Sequence, residues 1–168
     1  MKNIALVGFM GTGKSAVAIA LAEKLGMDYV STDDMAVLEE GGKTIHDIFK
    51  EKGEPYFRDV EARVVKKASE MQNVAIDCGG GVVLRDENLR HLKESGTVIC
   101  LTATPAVIYE RVKDHRHRPL LNVEDPQAAI RKLLTERAPF YGKADYTVDT
   151  SSLDVDGVVQ RILKIFKK

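Results

Sequence analysis

Short runs of apolar and β-branched residues alternate along the chain with longer stretches whose apolar positions recur every three to four residues. That alternation is the signature of an α/β fold, in which strands and amphipathic helices take turns. The apolar runs predict strands at Asn3 to Val7, Asp28 to Ser31, Asn73 to Asp77, Thr97 to Leu101 and Asp145 to Val148. Helical stretches are expected to open near Gly13, Thr44, Pro55, Asp86, Pro105, Asp125 and Asp154. Thr104 ahead of Pro105 has the form of an N-cap followed by a first-turn proline, where the missing N–H costs no hydrogen bond. Five such strands fit one parallel sheet. No internal repeat, low-complexity tract or long Pro/Gly/Ser linker interrupts the pattern, so one domain spanning 1–168 is expected. Only Lys113 to Val123 departs from regularity, combining charges, His115, His117, Pro119 and Asn122 between two helical patterns. It reads as a mobile loop.

Composition narrows the function classes. A length of 168 residues suits a single core, and 44% hydrophobic with 30% charged residues is the balance of a folded protein rather than a disordered one. Lys plus Arg and Asp plus Glu both number 25, which leaves no basic excess to hold nucleic acid or anionic lipid non-specifically. No stretch approaches the roughly 18 uninterrupted apolar residues of a membrane span. The opening MKNIALVGFMGTGKS lacks a small-residue cleavage site after its apolar run, so the cytoplasm is the expected location. Cys78 and Cys100 each follow an apolar run without nearby Cys or His. Buried reduced thiols are therefore expected, rather than a disulfide or zinc site.

The sharpest chemical signal is Gly8-Phe9-Met10-Gly11-Thr12-Gly13-Lys14-Ser15, which fits G-x-x-x-x-G-K-[ST] between an apolar strand and a helix. With glycine usage near 7%, four fixed letters arise by chance in a chain of this size about one time in a hundred or less. The spacing serves phosphate binding. Glycines let the backbone wrap an anion with its amides inward, Lys14 supplies a point charge, Ser15 offers a hydroxyl to Mg²⁺, and the following helix turns its positive end to the phosphates. Gly11, Thr12, Gly13, Lys14, Ser15 and Ala16 are the candidate nucleotide contacts, with Ser15 as metal ligand. The Asn-Lys-x-Asp tetrapeptide of guanine-reading GTPases is absent and motor ATPases usually need more chain, which leaves small kinases.

Four further groups bear on a second substrate. Ser31-Thr32-Asp33-Asp34 places carboxylates at the carboxyl end of a strand, where ligands of open α/β sheets bind, although both acids could equally cap a helix or face solvent. In Phe57-Arg58-Asp59-Val60-Glu61 the arginine and glutamate are spaced to meet on one helix face, a spacing that also suits a surface ion pair. Gly79, Gly80 and Gly81 after Asp77-Cys78 let a ligand approach the backbone, or form a plain turn. The basic run Arg111, Lys113, Arg116, Arg118, with Arg137 further on, suits either a solvated surface or a lid that closes guanidinium groups over transferring phosphate. His115 and His117 are spaced for neither a helical metal site nor a catalytic triad and read as solvated.

In order and spacing, the phosphate loop, the Asp33 region, Phe57-Arg58 with Glu61, Gly79 to Gly81, Arg118-Pro119-Leu120-Leu121 and Arg137-Ala138-Pro139-Phe140-Tyr141 resemble shikimate kinase over nearly the whole chain. The resemblance implies a three-layer P-loop kinase fold with a five-stranded parallel sheet flanked by helices, an acceptor-binding region at about 32–62 and a mobile lid at about 112–123. It implies ATP as co-substrate, a Mg²⁺ requirement, and transfer of the γ-phosphoryl group to the 3-hydroxyl of shikimate on the route to chorismate and the aromatic amino acids. A monomer is the family expectation. By the same resemblance Asp33 bonds the acceptor hydroxyls, Arg58 and Arg137 hold its carboxylate, Glu61 orients Arg58, and Gly79 to Gly81 approach its ring. Arg111 lies along the adenine, and Lys14 with Arg118 neutralises phosphate charge, which makes Lys14, Asp33 and Arg118 the catalytic set.

Two departures stand out against the family. Ser31 occupies the first position of its usual Asp-x-Asp, whose carboxylate helps hold the waters of Mg²⁺, and one residue is inserted between Asp33 and Glu39. Aligning on Asp34 would put Thr32 at that first position; Asp33 is the preferred match. Asp77 stands where the family usually has an uncharged residue, and it is expected to supply the missing acid. The rival readings are a P-loop kinase of another polyol acid such as gluconate, and a nucleotide-dependent switch without a phosphorylated product.

Overall fold

A computed structural model describes residues 2–114 and 123–167. Its centre is β1 (Asn3–Val7), buried at every position. Because successive side chains of a strand face opposite sides, Ala5 and Val7 enter one core while Ile4 and Leu6 enter another. The sheet runs β2-β3-β1-β4-β5 with all pairs parallel, adding β2 (Asp28–Ser31), β3 (Val74–Asp77), β4 (Gly96–Thr102) and β5 (Tyr146–Asp149). Parallel strands need crossovers, and helices supply them on both faces.

Helices α1 (Lys14–Leu25) and α8 (Val155–Phe166) cover one face, packing Val17, Leu21, Val158 and Ile162 against Ile4 and Leu6. On the other face, α4 (Glu54–Glu70), α5 (Asp86–Ser95), α6 (Pro105–Val112) and α7 (Pro126–Tyr141) bury Val65, Leu92, Ile108 and Ile130 against Ala5 and Val7. A smaller cluster of Ala36, Ile48, Phe57, Val60 and Val64 joins α2 (Thr32–Glu39) and α3 (Ile45–Lys52) to α4. This is the expected three-layer arrangement. Among the described residues no helix is long and apolar enough to cross a membrane.

The expected strands all form, with ends shifted by a residue at β3, β4 and β5. The helix starts also hold, and the caps explain why: Thr44, Thr104, Asp125 and Asp154 each accept a first-turn amide. Two elements have no counterpart in the periodicity. Helix α2 follows β2 without a connecting loop, and a 3-10 turn at Val82–Leu84 follows the three glycines. Most of the expected lid, 115–122, lies outside the described residues, and with it Arg116, Arg118, His115 and His117. Cys78 and Cys100 are buried free thiols, and burial pushes both above the usual thiol range, Cys100 to about 11.

Candidate active site

The carboxyl ends of all five strands meet at one edge of the sheet, and those sequence-predicted residues that lie within the described chain gather there. After Val7 the chain turns at Gly8, whose φ of +142° and tight approach to the Leu101 carbonyl on β4 admit no side chain. Gly13, at φ +94°, caps α1 and offers it no side-chain oxygen. No side chain caps the first turn of α1, and its positive end, at Lys14, Ser15 and Ala16, lines the cavity where an anion would sit. Within the loop, Lys14 Nζ donates to the Gly8 and Phe9 carbonyls at 2.8 and 2.9 Å, and Thr12 Oγ1 donates to Phe9 at 2.8 Å. The loop is braced from inside, with Lys14 91% covered but within reach of the cavity.

Arg111 fixes the loop from α6. Its guanidinium donates to the Gly11 carbonyl at 3.0 Å and to the Thr150 hydroxyl and carbonyl at 3.1 and 2.8 Å. The Thr150 hydroxyl also lies 3.0 Å from the carbonyls of Thr12 and Thr102. Three segments distant in sequence thus close on one buried hydroxyl, which the sequence reading did not single out.

Beside Ser15, at the end of β3, stands Asp77. Its Oδ2 accepts from Ser15 Oγ at 2.5 Å and from the Tyr29 hydroxyl at 3.1 Å. Burial, followed by the Asp77 charge, pushes the Tyr29 phenol up to about 12. A hydroxyl next to a carboxylate is the hard-oxygen donor set that Mg²⁺ accepts alongside water and phosphate, so these residues fit the ion. Ser31 serves differently: its Oγ accepts the Asp34 amide at 3.2 Å as the N-cap of α2.

The side expected to take the acceptor is built over Gly79, Gly80 and Gly81. A Cβ at Gly79 would stand 2.5 Å from Asp33 Oδ1 and 3.2 Å from Glu61 Oε2, one at Gly80 would stand 3.5 Å from Arg137 Nη1, and one at Gly81 would collide with the Arg58 guanidinium. The glycines are therefore a floor under four charged side chains. The Gly79 amide donates to Thr32 Oγ1 at 2.9 Å and the Tyr141 hydroxyl donates to the Gly80 carbonyl at 2.9 Å, so the floor is held from two sides.

Arg58 Nη1 donates to Glu61 Oε1 at 2.9 Å, and the Glu61 side chain is only 3% exposed. The pair is buried, unlike the surface ion pair the spacing also allowed. Burial pushes the Glu61 carboxyl above the usual range, against the lowering pull of Arg58. Each arginine also rests on aromatic faces, Arg58 at 5.4 Å from Phe57 and 5.8 Å from Phe49, and Arg137 at 5.7 Å from Phe9. Arg58 Nε is buried without a hydrogen-bond partner among the described residues.

A cavity of about 510 Å³ runs from Met10, Gly11 and Lys14 past Asp77 to Asp33, Gly79 and Gly80. It brings the phosphate loop and Asp33 into one space. Arg58, Glu61, Gly81 and Arg137 adjoin the end at Asp33, Gly79 and Gly80 through the glycine floor. Arg118 lies outside the described residues. Thr32 and Tyr141 support this site from within segments the sequence marks, though no role attaches to them there, whereas Tyr29 and Thr150 lie in no motif and have only their position on or beside a strand as a signal.

A phosphate-wrapping loop at a sheet edge, opening into a second charged pocket, defines a P-loop kinase of small molecules. A family model described as shikimate kinase matches residues 10–167. The shikimate kinase of Thermodesulfovibrio yellowstonii is 46% identical over 169 residues, covering 100% of this chain and 96% of that one. The solved structure of shikimate kinase from Acinetobacter baumannii in complex with shikimate superposes with a TM-score of 0.94 at 34% identity, covering 99% of this chain and 93% of that one. That of Aquifex aeolicus superposes with a TM-score of 0.85 at 38% identity, covering 98% and 96%. The chain belongs to the shikimate kinase family.

Proposed function

We propose that the chain transfers the γ-phosphoryl group of ATP to the 3-hydroxyl of shikimate, giving shikimate 3-phosphate and ADP. The observation that carries this reading is the convergence of Asp33, Arg58 and Arg137 over the glycine floor at one end of the phosphate-loop cavity. One carboxylate with two guanidinium groups matches an acceptor that has hydroxyls at one end and a carboxylate at the other.

In this reading the amides of Gly11 to Ala16 and Lys14 hold the nucleotide phosphates, and Arg111 presents its guanidinium plane at the edge of the nucleotide site. Asp33 accepts a hydrogen bond from the attacking hydroxyl and can take its proton as the P–O bond forms. Arg58 and Arg137 grip the acceptor carboxylate by paired N–H donors, Glu61 keeps Arg58 aimed, and the unpartnered Nε of Arg58 is one of the groups an acceptor anion would satisfy. Arg118 is assigned to the transferring phosphate on its place in the sequence alone. Mg²⁺ would be held by Ser15 with Asp77 at its side, where it would offset the charge of the phosphates.

The test is ADP release with ATP, Mg²⁺ and shikimate beside gluconate and a no-acceptor control, with the product identified by mass. Shikimate-dependent release with a new phosphoester is expected. Release with gluconate alone, or hydrolysis independent of any acceptor, overturns the assignment.

A further inference from the structure

A serine hydroxyl that is to ligate a cation must present a lone pair, and its single proton must then be directed elsewhere. For Ser15 the structure supplies the receiver, because its Oγ lies 2.5 Å from Asp77 Oδ2. Asp77 is 93% covered, and the Tyr29 hydroxyl at 3.1 Å holds the same oxygen from β2. Tyr29 and Ser31 are two residues apart on β2 and so face the same side of the sheet. Ser31 is the register partner of Asp77 across the β2–β3 pair. Positions 31 and 77 are thus lateral neighbours at the same height on the edge of the cavity.

Two other acids stand nearby, and the charge of one, Asp34, is also felt at the Tyr29 phenol. Asp33 lies against Gly79 near Glu61, while Asp34 follows in the first turn of α2, where its amide is capped by Ser31. Both line the cavity, but among the described residues Asp77 is the carboxylate bonded to the Ser15 hydroxyl.

We infer that Asp77, anchored by Tyr29, is the positioning residue that turns the Ser15 hydroxyl toward the nucleotide-bound Mg²⁺ and sets a negative charge beside that ion, and that a carboxylate at position 31 can replace it. The inference rests on the kinase reading but concerns metal and nucleotide only. A failure of shikimate turnover would leave its readout intact.

The experiment measures Mn²⁺ affinity of the protein–ADP complex by the electron paramagnetic resonance signal of free Mn²⁺, with ADP affinity in EDTA as the reference. Asp77→Asn is expected to weaken Mn²⁺ binding about 10- to 100-fold, the range for removing a group that orients a metal ligand. Metal-free ADP affinity should stay within about twofold. Adding Ser31→Asp should recover most of the loss, and because aspartate caps a helix as well as serine does, α2 keeps its start. Tyr29→Phe should weaken Mn²⁺ several-fold while leaving the chain folded, which decides the matter if the Asp77 variants do not fold. Unchanged Mn²⁺ affinity in Asp77→Asn or in Tyr29→Phe overturns the inference, as does a loss found in Asp34→Asn instead. A folded double variant without recovery overturns the exchange between positions 31 and 77.

Discussion

The Arg58 guanidinium occupies the space that a Cβ of residue 81 would need. Its position is fixed as much by the absence of that carbon as by Glu61. Gly81→Ala is expected to push the arginine away from the acceptor while the fold survives, since the displaced atoms are the far end of a flexible side chain. The Michaelis constant for shikimate should rise about tenfold or more, on the scale of one charge-assisted hydrogen bond, with that for ATP little changed. Gly8→Ala gives the contrast, because there the colliding atom is the Leu101 backbone carbonyl and φ is +142°. Steady-state kinetics and thermal melts of both variants check this: loss of acceptor binding without destabilisation for the first, destabilisation for the second.

Arg58 and Arg137 approach the glycine floor from α4 and α7, each stacked on an aromatic ring. Lysine keeps the charge but loses the planar fork and the stacking. Arg58→Lys and Arg137→Lys should each raise the Michaelis constant for shikimate about 10- to 100-fold and leave nucleotide affinity within about twofold. Equal losses for both ligands would count against an acceptor role. The two constants, measured with the other substrate saturating, distinguish these outcomes.

How much of this was legible in the sequence follows from how far apart the partners lie. The phosphate loop is one contiguous segment whose letters carry its geometry, and Arg58 with Glu61 is a single helical turn. The glycine triplet was visible as a ligand approach, yet the reason for three glycines, four charged side chains resting on them, comes from α2, α4 and α7. Helix α2 escaped periodicity because Met35, Ala36, Val37 and Leu38 are consecutive rather than spaced, and Leu38 is 81% exposed. Thr150 bonds across 138 residues to the Thr12 carbonyl, and Tyr141 across 61 to Gly80. No local pattern announces such contacts. The departure at Ser31 was readable, but its meaning depended on register, since only pairing β2 with β3 brings residue 31 beside Asp77.

Thr150 is the residue through which β5 and α6 hold the phosphate loop. Its hydroxyl is buried against two carbonyls and the Arg111 guanidinium. Thr150→Val keeps the shape and removes the hydroxyl, which leaves these groups short of a partner. A destabilisation of about 1–3 kcal/mol is expected, read as a fall of roughly 2–10 °C in Tm. With Arg111 less firmly held at the Gly11 carbonyl, the Michaelis constant for ATP should rise more than that for shikimate. A melt and a pair of substrate titrations test both parts, and an unshifted Tm would remove Thr150 from this role.

Glu61 gives a pH dependence whose sign can be worked out from its surroundings. Burial, with the charge of Asp33 nearby, disfavours its charged form more than Arg58 and Arg137 favour it, so its carboxyl titrates above the ordinary value in the folded chain. A raised folded value means that protonation favours the native state. Its contribution is full below the unfolded value near 4.5 and is lost as pH rises through the raised folded value. Glu61→Gln carries no such titration. The Tm of the variant relative to the parent should therefore increase between about pH 4 and neutrality, while the acceptor Michaelis constant worsens because a neutral amide holds Arg58 less firmly than a carboxylate. Parallel melts across that pH range decide it: a difference in Tm that stays flat, or moves the other way, would mean that the Arg58 pair outweighs the cost of burying the Glu61 charge.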